Sequence, residues 1–278
     1  MIIDAHQHFW QLSREHYDWP NESVEAIFRD FSPDDLQPLL HQAGLSRTVV
    51  VQALDTIEET RYLLEIAQKY SFVAGVVGWV DLSAANAVAR IDELRGDPLL
   101  KGLRPMLQNI EETEWILHQE NTAALEHMAK TGLRFDALIQ PRHLKAIDEL
   151  ATRYPGLPIV IDHIAKPAMG NGRKPDPAWS EGMKAIAAHE NCYCKLSGMV
   201  TEIGPDWQLD DLRAHADTVI DCFSPERVMF GSDWPVLNLA GDYLGWLNAV
   251  RTLIGNLSES EQEAILSRTA IRFYNLAV

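Results

Sequence analysis

The chain alternates short apolar segments rich in valine and isoleucine with segments of helical periodicity, from one end to the other. Eight segments have the composition of buried strands: residues 2–6, 47–52, 72–80, 99–104, 133–139, 157–162, 192–197 and 227–232. The helical segments that follow them are 33–43, 57–70, 84–95, 111–130, 142–154, 179–189, 209–222 and 258–274. Strands that are apolar along most of their length are typical of a parallel sheet covered by helices. Eight such units predict a single-domain α/β protein over residues 1–278, a (β/α)8 TIM barrel.

Local signals agree with this alternation. Ser32 precedes Pro33 and two aspartates, and Gly44 follows the first predicted helix, which is typical of a helix start and a helix end. Ser258 and Glu261 have the spacing of a capping box at the start of the last predicted helix. The first strand is not followed by Gly-x-Gly-x-x-Gly, which disfavours an open dinucleotide-binding sheet.

Charge and composition limit the partners and the compartment. The formal net charge of −16 argues against nucleic acid and anionic membranes as partners. Apolar runs stay below the roughly 18 residues of a membrane span, and a strand that begins at residue 2 leaves no room for a signal peptide. The three scattered cysteines, Cys192, Cys194 and Cys222, indicate reduced thiols, so we expect a cytoplasmic protein. Cys192 and Cys194 share a strand face, where small core residues are the favoured interpretation.

Residues whose side chains can take part in catalysis or metal binding lie where the predicted strands end. The first strand runs into His6-Gln7-His8, whose imidazoles lie on one face because side chains alternate along a strand. Such a pair can form half of a metal site or act in proton transfer. His163 follows the sixth strand, Asp233 follows the eighth, and Arg104 and Ser197 end the fourth and the seventh. In a barrel these ends meet at one mouth, where active sites lie.

Strand alternation suggests which side chains enter the barrel. The predicted inward faces are Ile159, Ile161 and His163 on the sixth strand, and Met229, Gly231 and Asp233 on the eighth. His163 and Asp233 then meet His6 and His8. Three imidazoles and one carboxylate can hold a divalent ion such as zinc with its water. Without an ion, Asp233 can act as general base on water, while Arg104 clamps a carboxylate or polarises a carbonyl.

Each of these residues also has a structural interpretation. Asp233 can cap a helix in its Ser-Asp-Trp-Pro turn, His163 can be a hydrogen-bonded core histidine, and Arg104 can form a surface ion pair. Lys195 lies inside an apolar strand, where a charge is costly unless it is paired. It is predicted to pair with a carboxylate in the barrel, with Asp4 as the candidate because it has the parity of His6, or to extend to solvent.

The segment 9–31 is long and aromatic for a connector, and loops of this length are usually functional. We expect it to lie over the mouth as an aromatic wall; the alternative is a surface loop packed on the barrel. Trp10 and Trp234 flank the candidate residues and can stack on a ring-shaped substrate, although core packing is expected for at least one of them.

Five motifs in order along the chain, IIDAHQHFW, KGLRP, DHIAKP, KLSG and FGSDWP, resemble those of the amidohydrolase superfamily. The resemblance extends over essentially the whole chain and is greatest to the branch of lactonases that act on L-fucono- and L-rhamnono-lactones. It implies a (β/α)8 barrel in which water attacks the carbonyl of a small sugar-acid lactone. It also implies Asp233, His163 and Arg104 as catalytic residues, and His6, His8, His163 and Asp233 as ligands of a metal.

One departure from the superfamily pattern affects the metal. The fifth strand reads LRFDALI, with Asp136 and no histidine, although fully metallated members carry a further ligand there or on the fourth strand. A single divalent ion, with zinc the leading candidate, or metal-independent hydrolysis is therefore expected rather than two metals. Two other functions stay open: a metal-dependent decarboxylase of an aromatic or small carboxylic acid, and a non-catalytic ligand-binding barrel. The sequence determines neither which lactone is the substrate nor the oligomeric state of the protein.

Overall fold

A parallel sheet of eight strands forms a barrel in the computed structural model, which describes residues 1–14, 17 and 19–278. The strands are β1 (Ile3–Gln7), β2 (Arg47–Val51), β3 (Val73–Gly78), β4 (Leu100–Leu103), β5 (Arg134–Ala137), β6 (Ile159–Ile161), β7 (Cys192–Leu196) and β8 (Val228–Phe230). Each strand pairs with the next one along the chain. A bridge between Gln7 and Trp234 brings the first and last strands together beyond the end of β8. The predicted (β/α)8 barrel is confirmed.

Helices connect successive strands and cover the barrel. They are α1 (Pro33–Ala43), α2 (Ile57–Lys69), α3 (Ala87–Leu94), α4 (Thr122–Thr131), α5 (Leu144–Arg153), α6 (Pro177–Ala187), α7 (Leu209–Phe223), α8 (Tyr243–Leu253), α9 (Glu259–Glu263) and α10 (Thr269–Tyr274). Within the part of the chain that the structure describes, no helix has the length and apolar character needed to cross a membrane.

The predicted capping signals are confirmed. The Asp35 carboxylate accepts hydrogen bonds from the backbone N–H and the hydroxyl of Ser32 at 2.8 and 2.7 Å. Gly44 ends α1 with a φ of 72°, a conformation that costs glycine little. Ser258 and Glu261 form the capping box that begins α9.

The helix after the eighth strand was wrongly predicted at 258–274. That position is taken by α8, whose first turn is capped by the Asp242 carboxylate through the N–H of Gly245 at 2.8 Å. Residues 258–274 instead form α9 and α10 around a π-helical turn, Ala264–Arg268. Because Phe273 and Tyr274 pack against the start of β1, the last helix closes the amino end of the barrel.

The predicted helix 111–130 begins only at Thr122. Short 3-10 turns precede it at Trp115–Leu117 and Gln119–Asn121, and the start of the predicted helix is held by the Arg142 guanidinium. It donates to the carbonyls of Ile110 at 2.7 Å and Glu111 at 3.0 Å. A long-range contact therefore overrides the local helical pattern.

The inward face of β6 is the opposite of the predicted one. Val160 packs inside the barrel with residues such as Ala5, Val49 and Met229. Ile159 and Ile161 face the covering helices instead. His163 therefore does not reach the mouth by strand alternation.

The three cysteines are free thiols. Burial raises the pKa of Cys192 to about 12 and raises that of Cys194 well above its usual value. Both thiols stay protonated inside the wall of the barrel, as small core residues.

Candidate active site

Three imidazoles and one carboxylate converge at the carboxyl ends of the strands. His8 Nε2 lies 3.2 Å from His6 Nε2 and 3.3 Å from Asp233 Oδ1. His6 Nε2 and His163 Nε2 are each 3.7 Å from the same carboxylate oxygen. All four side chains are buried. The structure thus brings together residues that lie up to 227 positions apart in the chain.

Asp233 is aimed by the turn that follows β8. Its φ of 58° is left-handed, and its backbone N–H donates to the His6 carbonyl at 2.8 Å. The backbone of His8 donates in turn to the carbonyl of Trp234 at 2.7 Å. These bonds direct the Asp233 carboxylate toward the histidines, so it does not cap a helix.

Asp4 holds the ends of β1 and β8 together, so the predicted carboxylate partner of Lys195 is not Asp4. Its Oδ1 accepts the backbone N–H of Ser232 at 2.8 Å and of His6 at 3.1 Å. Its Oδ2 accepts the hydroxyls of Ser232 and Tyr243 at 2.6 and 2.7 Å. Because burial outweighs these bonds, the pKa of Asp4 is raised to about 6.

His163 enters the mouth through a backbone distortion. The four residues from His163 to Lys166 all have positive φ, at 52°, 48°, 62° and 49°. Left-handed backbone costs about 1–2 kcal/mol per residue, so the turn persists only because its surroundings hold it. One support is the Ser197 hydroxyl, which is 2.9 Å from His163 Nδ1. The imidazole of His163 is therefore fixed at the mouth by a hydrogen bond and by the conformation of its backbone.

The tautomer of His8 follows from its surroundings. Its Nδ1 is 2.7 Å from the carbonyl oxygen of Val51, which can only accept, so Nδ1 carries the proton. In the neutral ring, Nε2 then presents a lone pair to the carboxylate of Asp233. Two acceptors 3.3 Å apart need a proton or a cation between them.

Lys195 lies at the centre of a buried ion cluster beneath the histidines. Its Nζ is 2.6 Å from Asp136 Oδ2, 2.9 Å from Asp162 Oδ1 and 3.1 Å from His6 Nδ1. The Tyr274 hydroxyl also donates to Asp136, at 2.5 Å. The cluster accounts for a lysine inside an apolar strand and gives Asp136 a structural partner.

Two partners of His6 Nδ1 define two roles for this ring. If Nδ1–H faces Asp162 Oδ1, 3.4 Å away, Nε2 offers its lone pair to a cation. If Lys195 donates to Nδ1, Nε2 carries the proton and can donate it to His8 Nε2, 3.2 Å away. Burial and the charge of Lys195 lower the pKa of His6 well below its usual value, so the ring is neutral in either case.

Arg104 is buried at the mouth, so the predicted surface ion pair is wrong. Its guanidinium donates to the backbone carbonyl of Gln52 and, at 2.9 Å, to the Gln52 side chain. It also lies 3.5 Å from Asp162 Oδ2 and 3.5 Å from His6 Nε2. Arg104 therefore brings a fixed positive charge to the floor of the site.

Burial and charge set the protonation states of the site. Burial alone would raise the pKa of Asp233, but His163 and the other histidines hold it well below its usual value. Burial lowers the pKa of His163 to about 4. Burial would likewise raise the pKa of Asp162, yet Lys195 and His6 keep it well below its usual value. At neutral pH the site holds an ionised Asp233 beside a neutral His163.

A cavity of about 690 Å³ opens above these residues, with His8, Arg104, His163 and Asp233 on its floor. Trp10 and Trp19 belong to its wall, as expected for an aromatic wall from segment 9–31. Residues 15, 16 and 18 of that segment lie outside the described residues. Trp234 instead packs in the core, with its ring centroid 5.3 Å from that of Phe31.

The donor set fits a divalent metal ion. Four ligands of a tetrahedral ion at about 2.0–2.1 Å would lie about 3.3 Å apart. The distances among His6 Nε2, His8 Nε2 and Asp233 Oδ1 range from 3.2 to 3.7 Å, and His163 Nε2 lies 3.7 Å from the same Asp233 oxygen. Ligand atoms of His6, His8 and Asp233 also lie within 4.8 Å of one another, as do those of His6, Asp162 and His163.

Ser197, which the sequence already places at a strand end, meets His163 at the end of β7. Two other residues that shape the site, Asp162 and Gln52, were not singled out from the sequence; they meet Arg104 at the ends of β6 and β2. A signal for both was available, because each is a polar residue directly after an apolar strand. Their partners depend on contacts between strands that are distant in the sequence.

Gly198→Ala is predicted to lower kcat about a hundredfold. A Cβ at Gly198, where φ is +65°, would lie 2.5 Å from His163 Nδ1, so the imidazole must move. Gly172→Ala is the matched control, since its φ of +69° imposes the same strain and no atom lies within 4 Å of the added Cβ. Steady-state kinetics of both variants check this, and equal activities would contradict it.

Histidines and an aspartate that converge at the mouth of a parallel barrel are typical of barrel proteins that bind a metal ion or activate water there. The chain belongs to the amidohydrolase family, whose model matches residues 3–276.

The chain is similar to proteins named as lactonases. It is 51% identical over 249 residues to an L-fucono-1,5-lactonase of Burkholderia ambifaria, which covers 88% of this chain and 85% of the relative. It is 35% identical to an L-fucono-1,5-lactonase of Burkholderia multivorans, over 99% of this chain and 96% of the relative. A crystal structure of an amidohydrolase from Burkholderia multivorans with bound zinc matches with a TM-score of 0.91 and 33% identity, over 100% of both chains.

Proposed function

We propose that this protein hydrolyses a lactone of a small sugar acid, of the L-fucono- or L-rhamnono-lactone type, to the open hydroxy acid. The observation that carries the proposal is the Asp233 carboxylate, held among three imidazoles on the floor of a cavity of about 690 Å³. The names of its two lactonase relatives support the substrate class.

Asp233 is proposed as the general base. It takes a proton from water as the water oxygen bonds to the lactone carbonyl carbon. The ring C–O bond then breaks, and the ring oxygen takes up the proton and leaves as a hydroxyl group. One water is consumed, and a carboxylic acid and an alcohol are formed in one molecule.

Arg104 and His163 are proposed to stabilise the negative charge that develops on the carbonyl oxygen. Arg104 is suited to this role because Gln52 and Asp162 hold its guanidinium. In the ion-free protein His163 is neutral, and when the Ser197 hydroxyl donates to Nδ1, its Nε2–H can donate to substrate.

A divalent metal ion, with zinc as the proposed identity, would be held by His6, His8, His163 and Asp233. When bound, it would supply Lewis-acid polarisation and lower the pKa of water. Without the ion, His6 and His8 would orient the water beside Asp233.

The wall of the cavity suits a polyhydroxylated ring. Gln108, Asn109 and Asp55 offer amide and carboxylate groups to sugar hydroxyls, and Trp10 and Trp19 offer aromatic faces to the ring. Because the cavity already combines such groups with the charged floor, a purely ligand-binding barrel is the less favoured function.

The purified protein is expected to release acid from L-fucono-, L-rhamnono- or L-galactono-lactones at rates well above spontaneous opening. A pH-indicator assay of this panel, run with and without a chelator and with zinc added back, checks the reaction and its metal dependence together. Spontaneous rates with every lactone would contradict the proposal. Carbon dioxide release from aromatic acids would favour the decarboxylase, and calorimetric binding without turnover would favour a ligand-binding barrel.

A further inference from the structure

Two tryptophans on the outer helices reach the turns that carry the candidate catalytic groups. Trp179 on α6 donates its indole N–H to the carbonyl of Ile164 at 2.9 Å, and Trp246 on α8 donates to the carbonyl of Gly231 at 2.9 Å. Both side chains are 1% exposed. Neither tryptophan is among the described residues that line the cavity. Any effect on the reaction must therefore pass through the backbone.

Both acceptor carbonyls lie just beyond the regular sheet. β6 ends at Ile161 and β8 ends at Phe230, so Ile164 and Gly231 follow the last paired residues of their strands. A buried carbonyl in this position needs a partner that the sheet does not supply. In both turns a tryptophan of the outer layer provides it.

The turns also need support because of their conformation. Ile164 is the second of four successive residues with positive φ, which a β-branched side chain strongly disfavours. Gly231 lies two residues before Asp233, whose φ is also positive. Each indole thus holds a peptide group next to the residue that must be aimed into the mouth.

We propose that Trp179 and Trp246 are positioning residues, which aim His163 and Asp233 through these indole-to-carbonyl hydrogen bonds. The proposal deepens the proposed lactone hydrolysis and rests on it. The hydrogen bond of Trp179 contributes more to positioning than that of Trp246, because the turn of Asp233 is also held by hydrogen bonds between Asp4 and Ser232.

Loss of the indole bond should affect turnover more than binding. A freed Ile164 carbonyl can rotate and shift the His163 ring relative to Asp233, whose facing atoms are 3.7 Å apart. Small displacements of reacting groups reduce rate steeply. Groups on other elements, such as Trp10 and Gln108, still line the wall and are not moved.

The test is steady-state kinetics on the lactone that the wild-type protein opens fastest. Trp179→Phe is expected to lower kcat about tenfold or more and Trp246→Phe about threefold or more, with KM within about twofold of wild type. Trp207→Phe is the matched control, since it removes an indole bond of 2.9 Å to the carbonyl of Ala240 and should change kcat less than about twofold.

Replacement of Trp179 by 3-benzothienylalanine, which keeps the shape of the ring but lacks the N–H, separates the hydrogen bond from packing. We expect the same loss of kcat, with a melting temperature only a few degrees lower because the Ile164 carbonyl is left unpaired. Amide exchange should increase at Lys166, whose N–H donates to the His163 carbonyl at 2.8 Å. A kcat within twofold of wild type in both Trp179 variants, or an equal loss in Trp207→Phe, would overturn the inference.

These outcomes are distinct from failure of the proposed function. An inactive wild-type protein refutes the lactone hydrolysis, and amide exchange at Lys166 then still reports whether Trp179 holds the turn. An active wild-type protein with unchanged Trp179 variants refutes the positioning role alone.

Discussion

Asp233→Asn is expected to reduce kcat about a thousandfold, which corresponds to about 4 kcal/mol in the activation free energy. The amide keeps the shape of the side chain but cannot take a proton from water. Because Asp233 lies among three imidazoles at 3.3–3.7 Å, no other carboxylate directly replaces it at this point of the mouth among the described residues.

Steady-state kinetics and circular dichroism check this prediction together. The melting temperature is expected to stay within a few degrees of wild type, since the amide accepts hydrogen bonds as the carboxylate does. Asp81→Asn, a change of the same kind at an exposed loop residue outside the cavity wall, is the control and should retain full activity. Activity of Asp233→Asn within tenfold of wild type would refute the role of general base.

Lys195→Met is expected to lower the free energy of unfolding by about 3–5 kcal/mol. The change leaves the carboxyl groups of Asp136 and Asp162, both fully buried, without the ammonium group that lies 2.6 and 2.9 Å from them. A loss of this size corresponds to a melting temperature about 10 °C lower. Chemical denaturation at pH 7 measures it.

The pH dependence of this loss has a definite sign. Burial already raises the pKa of Asp136, and without the positive charge of Lys195 the pKa values of Asp136 and Asp162 must both rise. A folded state with raised carboxyl pKa values binds more protons than the unfolded state, so its stability is regained as the pH falls. The deficit of Lys195→Met is therefore expected to shrink between pH 7 and pH 5.

Two variants test whether the buried charges are the cause. Adding Asp136→Asn to Lys195→Met removes one unpaired carboxylate and should recover part of the stability. Lys184→Met, on the exposed side of α6, should change stability by no more than about 0.5 kcal/mol. A loss below 1 kcal/mol in Lys195→Met would show that the ion cluster contributes little.

The sequence was informative where the controlling interactions are local or repeated. The capping signals at Ser32 and Gly44 depend on neighbours within a few residues, and the barrel follows from eight repeats of one pattern. The same logic found His6, His8, His163 and Asp233, because any polar residue after a buried parallel strand reaches the mouth of a barrel. It missed α8, where the helical pattern was not recognised after the cap at Asp242.

Only the tertiary structure decided how these residues face one another and what holds them. His163 is turned inward by left-handed backbone, which strand alternation does not predict, and the outer helices support that backbone through Trp179. Lys195 pairs with Asp136 and Asp162 rather than Asp4, because the register shifts between Asp4 and Gln7, so Asp4 does not share the direction of His6 and bonds to Ser232 and Tyr243 instead. Pairings of this kind depend on the relative positions of strands far apart in the chain, and these exist only once the barrel has closed.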